Sequence, residues 1–258
     1  MKVSIRVNVG DCGEPGDYVV PELESDVVQV WTRSLQVAPH LELACYELLS
    51  SEERERAARY RVGGPRSDFV LTRGTLRWLA ASYLATTPQE LSFRYSSYGK
   101  PFLDGASELR FNVSHTDGLA LMAFVKAREV GIDVEKIRPV PELRQLTERF
   151  FSVHERQSLH PLCGEELCSA FFRCWTRKEA YVKARGEGLS LPLHQFDVSI
   201  AASSSKALLA TRPDSSEAER WMLSDLTAQP AYAAALAVAN TANATPIEYR
   251  DRNLGAVK

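Results

Sequence analysis

Apolar runs alternate along this chain with stretches in which hydrophobic residues recur every three or four positions. The run at residues 119–125 is apolar throughout, which predicts a strand buried on both faces. Helical spacing, as between Leu76 and Leu79, predicts amphipathic helices. The pattern predicts strands at residues 27–31, 91–95, 109–113, 119–125, 130–135, 196–200, 206–210 and 232–238. It predicts helices at residues 50–62, 67–84, 141–151, 153–159 and 165–185.

Polar residues and glycines mark the ends of these helices. Ser50 precedes a group of glutamates, which suit the positive end of a helix dipole. The sequence Gly63-Gly64-Pro65 is expected to break the first helix. Gly186 is expected to end the long helix at residues 165–185.

Both halves of the chain combine helices with several strands, which predicts the α+β class in an α/β sandwich-like arrangement. We expect two similar lobes, an N-terminal lobe at residues 1–125 and a C-terminal lobe at 126–240. We expect residues 1–26 to form a strand or an extended lead-in, and residues 241–258 to form a loose tail.

Composition narrows the class of protein. The net charge of the 258 residues is -2, whereas dedicated nucleic-acid binders usually carry a large basic excess. Five cysteines without a CxxC pair favour reduced thiols over a zinc site or a disulfide framework. No apolar run approaches the roughly 20 residues of a membrane helix, and early acidic residues interrupt any signal peptide pattern. We therefore expect a cytoplasmic protein with no nucleic-acid or membrane partner. We also expect it to be a monomer.

Two acidic motifs suggest a cation site. In the predicted strand at residues 130–135, Asp133 and Glu135 share one face, which gives a hard cation such as Mg²⁺ two carboxylate ligands. On the long helix, Glu179 and Lys183 lie four residues apart on one stripe. Taken separately, each motif is better explained by a commoner arrangement: a solvated strand face for Asp133 and Glu135, and a surface Glu–Lys pair for Glu179 and Lys183.

Two further motifs suggest phosphate contacts. Ser114-His115 follows a predicted strand, and both side chains can donate hydrogen bonds to a phosphate. A serine nucleophile activated by its neighbour is poor chemistry, because adjacent strand residues point apart and no G-x-S-x-G elbow is present. Tyr98-Gly99-Lys100-Pro101 predicts a turn that exposes one cation, or a plain hairpin turn.

Arginines cluster on the first two predicted helices and in the turn between them. They either line a polyanion site or are solvated. They are Arg54, Arg56, Arg59, Arg66, Arg73 and Arg77.

The order of the motifs is more specific than any one of them. Gly-Lys-Pro, Phe-Asn-Val-Ser-His, Gly-Ile-Asp-Val-Glu and Trp-Thr-Arg-Lys-Glu-Ala-Tyr-Val-Lys follow one another. In this order the chain resembles a 4′-phosphopantetheinyl transferase of the Sfp type, a member of the holo-carrier-protein synthase superfamily, from about residue 50 to 198. The family usually places an arginine between the first two helices, where this chain has Gly63-Gly64-Pro65 followed by Arg66.

The resemblance implies two lobes related by a pseudo-twofold axis, with coenzyme A bound as co-substrate in the cleft between them. It implies that Asp133, Glu135 and Glu179 bind Mg²⁺ and that Lys183 contacts the phosphate under attack. It assigns the 3′-phosphate to Ser114 and His115, with Arg66 as substitute for the displaced arginine. The segment beside adenine and its phosphate would be Tyr98, Gly99, Lys100 and Pro101.

The reaction implied is transfer of 4′-phosphopantetheine from coenzyme A to a serine of an acyl, peptidyl or aryl carrier protein. Either Glu179 or a metal-held water would take the serine proton. Two alternatives stay open: a non-catalytic module on the same fold that binds coenzyme A or a carrier protein, and an unrelated Mg²⁺-dependent phosphatase or nuclease.

Residues 141–167 link the strand of Asp133 and Glu135 to the helix of Glu179, so we expect them to flank the cleft and to form the docking surface for the carrier. Family biology implies that the carrier is acidic, which calls for a basic, partly apolar patch. The candidate contacts are Arg144, Arg149, Arg156, Phe150 and Phe151, with Leu143 and Leu146 as apolar anchors. Burial of the aromatic residues and leucines in the core is the alternative.

Overall fold

The structure is a computed structural model that describes residues 6–15, 19–105, 108–202, 207–227 and 229–240. Its N-terminal half contains helices α1 (Pro39–Glu47), α2 (Ser51–Ala58) and α3 (Gly63–Leu84). The strands of this half are β1 (Arg6–Asp11), β2 (Val27–Ser34), β3 (Phe93–Tyr95), β4 (Pro101–Leu103), β5 (Leu109–Thr116) and β6 (Leu119–Lys126).

The C-terminal half has helices α4 (Leu143–Phe150), α5 (Val153–Leu159) and α6 (Gly164–Arg185). Its strands are β7 (Val130–Lys136), β8 (Phe196–Val198), β9 (Leu208–Thr211), β10 (Trp221–Asp225) and β11 (Tyr232–Ala239). Short 3₁₀ turns occupy Pro88–Glu90, Gly188–Ser190, Leu193–Gln195 and Ser215–Arg220. The predicted α+β class is confirmed. Among the helices of the described ranges, none combines the length and apolar character needed to cross a membrane.

Two larger sheets organise the fold. The first has the order β1-β2-β6-β5, in which β1 runs parallel to β2 and the other neighbours are antiparallel. The second has the order β10-β11-β7 and is antiparallel. Two-stranded ribbons pair β3 with β4 and β8 with β9. The predicted lobe boundary after residue 125 falls at the end of β6, the last strand of the first sheet along the chain, and it stays a prediction.

Apolar packing joins the sheets and their helices into layers. Helix α3 packs on the first sheet through a cluster that includes Leu71 and Leu79, and α6 packs on the second through Phe171 and Tyr181. Each of these helices has 22 residues. A third cluster joins the facing sides of the two sheets, so the layers run helix, sheet, sheet, helix. This cluster includes Val30, Leu121, Ile132 and Leu236.

A glycine allows strand β7 to lie directly against helix α6. A Cβ atom on Gly131 would lie 2.1 Å from the carbonyl oxygen of Ala180 and 2.3 Å from the amide nitrogen of Ala184. Because these contacts are with backbone atoms, a larger residue would force the helix away from the strand. The close approach brings Asp133 within reach of Lys183.

A buried ion pair anchors α6 to α5. Lys178 and Glu155 are both fully buried, and Lys178 Nζ lies 2.7 Å from Glu155 Oε1. The ammonium group also donates to the carbonyl oxygens of Leu193 and Phe196 over 2.7 and 2.8 Å. Glu155 in turn accepts the backbone N–H of Val198. A buried charge is tolerated only with such partners, so each member of the pair depends on the other.

Most of the predicted elements are confirmed within a few residues, and two boundaries differ instructively. Helix α3 begins at Gly63 rather than near residue 67. Pro65 is tolerated there because the N–H groups of a first turn have no helical partner. Strand β5 continues to Thr116, beyond the predicted end at residue 113, so Ser114 and His115 lie inside it.

Some elements are missed by the pattern or fall outside the structure. The pattern does not predict α1, β4 or β10, in which buried residues are few: Leu41 and Cys45 in α1, Leu103 in β4 and Leu223 in β10. Part of the predicted lead-in is strand β1. The start of the predicted strand at 206–210 and the whole tail at 241–258 lie outside the described residues.

Candidate active site

Three of the predicted site residues meet where β5, β7 and α6 approach one another. Lys183 Nζ lies 2.6 Å from Asp133 Oδ1 and 3.0 Å from Ser114 Oγ. The Ser114 hydroxyl donates to Asp133 Oδ1 over 2.9 Å and accepts the backbone N–H of Val134 over 3.3 Å. Residues from both halves of the chain are therefore joined in one cluster at the seam between the two sheets.

The three carboxylates of the predicted cation site share one electrostatic environment. Burial raises the pKa of Asp133, an effect opposed by the positive charge of Lys183. Burial and then the charge of Asp133 raise the pKa values of Glu135 and Glu179. A cation placed among these groups would lower all three pKa values, because opposite charge stabilises the ionised form.

The donor chemistry of the site suits Mg²⁺. Carboxylate oxygens are the ligands that hard cations prefer, and the buried Oδ2 atom of Asp133 has no hydrogen-bond partner among the described residues. Within those residues, however, no group of three or more His, Cys, Asp or Glu side chains is arranged as metal ligands. Repulsion between the carboxylates and the pairing of Asp133 with Lys183 both oppose closer convergence. Coordination of Mg²⁺ here stays a prediction.

Ser114 and His115 point to opposite sides of β5, so Ser114 is buried whereas His115 reaches solvent. Neighbouring protein still removes part of the hydration of His115, which lowers its pKa. The charge of Asp68 acts in the opposite direction, and the charge of Lys183 lowers the pKa further. Because the Ser114 hydroxyl is bound to Asp133 and Lys183, the arrangement gives no support to a hydrolytic Ser–His pair.

The turn at residues 98–101 contacts the end of α6 through Lys100. Gly99 has a φ of 85°, a conformation that favours glycine, and Tyr98 is exposed. The Lys100 ammonium donates to Glu129 Oε2 over 3.2 Å and to the carbonyl oxygens of Val130 and Ala184 over 3.1 and 3.3 Å. Lys100 thus ties this turn to the C-terminal half rather than projecting a free cation.

The arginines of the first helices have specific partners. Arg66 Nη1 donates to Glu42 Oε1 over 2.9 Å, and its guanidinium lies over the Tyr46 ring. Its predicted role toward coenzyme A stays a prediction. Arg73 and Arg77 are buried and pair with Glu53, so neither a solvated face nor a polyanion site describes them. Their burial depends on a carboxylate from α2, which spacing along α3 does not reveal.

Of the residues predicted to contact the carrier protein, some are exposed and others are buried. Arg144, Arg149 and Arg156 are exposed, as expected for contact residues. Phe151 and Leu143 are buried in the core, which is the alternative to a contact role. Phe150 and Leu146 are half-buried and pack against the same core. Beside Arg144 lies a groove of about 850 Å³, bounded by residues 137–145, the start of α6 and residues 230–231.

Three further residues make contacts near the site that the sequence does not predict. Asn112 Oδ1 accepts the N–H of Ile132 over 2.9 Å, and Thr116 Oγ1 donates to Glu135 Oε2 over 3.3 Å. Glu129 binds Lys100. For Asn112 and Thr116, the only signal in the sequence is that residues 112, 114 and 116 lie on one face of a strand.

Comparisons with known proteins point in one direction. The family model described as "ACPS: 4'-phosphopantetheinyl transferase superfamily" matches residues 129–237. 4'-phosphopantetheinyl transferase HetI of Nostoc sp. is 37% identical over 220 residues, which cover 84% of this chain and 90% of HetI. 4'-phosphopantetheinyl transferase Sfp of Bacillus subtilis is 30% identical over 150 residues, which cover 58% of this chain and 66% of Sfp.

Among solved structures, the holo-[acyl-carrier-protein] synthase (AcpS) of Thermotoga maritima matches with 24% identity and a TM-score of 0.33. The match covers 43% of this chain and 62% of that chain, a likeness too low to support an inference.

Proposed function

The chain belongs to the 4′-phosphopantetheinyl transferase superfamily, and we propose that it transfers the 4′-phosphopantetheine arm of coenzyme A to a serine of an apo carrier protein. The observation that carries this proposal is the cluster of Asp133, Ser114 and Lys183. It joins the strand predicted to hold the 3′-phosphate, the strand predicted to hold the cation and the helix predicted to contact the reacting phosphate.

Asp133, Glu135 and Glu179 are the residues that would hold Mg²⁺, which when bound would neutralise the pyrophosphate and stabilise charge on the leaving group. Lys183 would supply a second positive charge. Its ammonium is fixed by Asp133 and Ser114, and a compact point charge suits contact with the phosphate under attack.

In the transfer step, the carrier serine oxygen forms a bond to the phosphorus next to pantetheine. The bond from that phosphorus to the oxygen bridging to the nucleotide breaks, and 3′,5′-ADP leaves with the electron pair. Glu179 would take the serine proton. Its carboxylate has no side-chain hydrogen bond in the described part of the chain, so its oxygens are available to accept a proton.

The proposal is tested by incubating the protein with coenzyme A, Mg²⁺ and a panel of apo carrier proteins, and by measuring release of 3′,5′-ADP. Release should require a carrier, stop with EDTA and return with added Mg²⁺. A non-catalytic module would bind coenzyme A without releasing product, and a phosphatase or nuclease would release product without a carrier.

His115→Ala is expected to weaken coenzyme A binding roughly ten- to a hundredfold, the effect of losing a charge-assisted hydrogen bond of about 1.5–3 kcal/mol. The loss should be smaller for 3′-dephospho-coenzyme A. Because desolvation lowers the pKa of His115 and a phosphate favours its protonated form, affinity for coenzyme A should rise as pH falls. Titration calorimetry at several pH values measures both effects. Equal losses for the two ligands would show that His115 does not contact the 3′-phosphate.

Reversing two exposed charges, Arg144→Glu with Arg149→Glu, is expected to raise KM for an acidic carrier and leave KM for coenzyme A unchanged. The effect should shrink with salt, because exposed charges are screened beyond about 10 Å at 0.1 M. Arg220→Glu, a reversal at another exposed arginine, is the control and should leave both KM values unchanged. An unchanged carrier KM for the double variant at low salt would place the docking face elsewhere.

A further inference from the structure

Strand β7 is an edge strand of the second sheet, since β11 is its hydrogen-bonded neighbour on one side only. The N–H groups on its other side do not meet a backbone ladder. They are bound by side chains of β5, a strand of the first sheet: Ile132 N–H by Asn112 Oδ1, Val134 N–H by Ser114 Oγ and Lys136 N–H by Thr116 Oγ1, over 2.9, 3.3 and 3.4 Å.

These three bonds form a regular side-chain ladder. The donors and the acceptors each recur at every second residue, because alternate residues of a strand share one face. The ladder joins the edge of β7 to β5 and sets which residues of the two strands lie opposite each other. Asp133 and Glu135, the two carboxylates of β7, lie between the three N–H groups and are therefore placed by the same register.

Two rungs of the ladder also bind those carboxylates. Ser114 Oγ donates to Asp133 Oδ1 over 2.9 Å, and Thr116 Oγ1 donates to Glu135 Oε2 over 3.3 Å. Each hydroxyl thus accepts a hydrogen bond from a backbone N–H of β7 and donates one to the carboxylate of the residue just before that N–H. Ser114 already belongs to the predicted coenzyme A site, whereas Thr116 has no assigned role.

We propose that Asn112, Ser114 and Thr116 form a side-chain ladder that fixes β7 against β5, and that Thr116 is the positioning residue that orients Glu135 for the cation. The second part rests on the proposed function. Residues that hydrogen-bond a metal ligand orient it, and their loss typically weakens metal binding roughly 10–100-fold.

The test compares Thr116→Val, which keeps the shape of the side chain without its hydroxyl, with Thr116→Ser, which keeps the hydroxyl. In the ligand-free protein, Thr116→Val should speed amide hydrogen exchange at Lys136 and leave Ile132 unchanged. Asn112→Ala should do the reverse. Thr116→Ser should exchange like the parent protein. Unchanged exchange at Lys136 in Thr116→Val would overturn the ladder.

The positioning role is measured separately. Thr116→Val should raise the Mg²⁺ concentration for half-maximal transfer about tenfold, with little change in KM for coenzyme A, and Thr116→Ser should restore the parental value. A purely structural role would change urea stability without this shift in Mg²⁺ dependence and would overturn it. If the parent protein transfers nothing, the proposed function fails, while the exchange experiment still decides the ladder.

Discussion

Replacing Asp133 with Asn is expected to lower the rate of transfer roughly a hundred- to a thousandfold or more, the scale of losing a preorganised charge in an active site. Asn keeps the shape of the side chain but removes the charge that faces Lys183. It also removes one of the three carboxylates that would hold the cation. Steady-state kinetics over a range of Mg²⁺ concentrations measure the effect.

The same variant is expected to stay folded. Asp133 is buried, and burial raises its pKa, so loss of its charge removes a desolvation cost. Lys183 keeps 29% of its side-chain surface exposed and can be hydrated when unpaired. Asp104→Asn is the matched control, because Asp104 is an exposed partner of Arg94 and should tolerate the change. Full activity of Asp133→Asn at low Mg²⁺ would contradict the metal assignment.

Lys178→Met is expected to destabilise the protein by about 3–5 kcal/mol, the cost of leaving one member of a buried ion pair without its partner. Glu155 is fully buried, so its charge would lose an ammonium 2.7 Å away with no access to water. Met fills a similar volume, so the loss of stability reflects the missing charge of Lys178 and not the formation of a cavity. Urea denaturation of the two proteins measures the difference in free energy of unfolding.

Lys136→Met is the matched control for that change. Lys136 makes an ion pair of 2.6 Å with Asp117, but neither side chain is buried: Lys136 is 36% exposed and Asp117 is 71% exposed. Exposed pairs contribute about 0–1 kcal/mol, so the control should lose little stability. Similar losses for the two variants would contradict the structural role given to the buried pair.

Local patterns predict the elements that carry the site. The helical spacing of residues 165–185 and the glycine that follows predict α6 almost to the residue. The alternation in residues 130–135 places Asp133 and Glu135 on one face of β7. The family resemblance, which rests on the order of four motifs, then implies that β5, β7 and α6 meet. The predictions of α6 and of the shared face of β7 succeed because each depends on residues close together in the chain.

Predictions fail where the deciding contact is distant in sequence. Arg73 and Arg77 resemble solvated charges along α3, but Glu53 from α2 and the ring of Phe93 allow their burial. Lys100 resembles a free cation in a turn, yet one of its partners lies 84 residues further along the chain. Spacing within one element carries no information about such partners.

The intact mass of an apo carrier protein after incubation tests the central claim most directly. With coenzyme A and Mg²⁺, the mass should increase by one phosphopantetheine group, and a carrier whose acceptor serine is replaced by alanine should show no increase. Asp133→Asn should leave the carrier unmodified over the same period. If every carrier in a broad panel keeps its apo mass although the protein binds coenzyme A, the chain is a binding module and not a transferase.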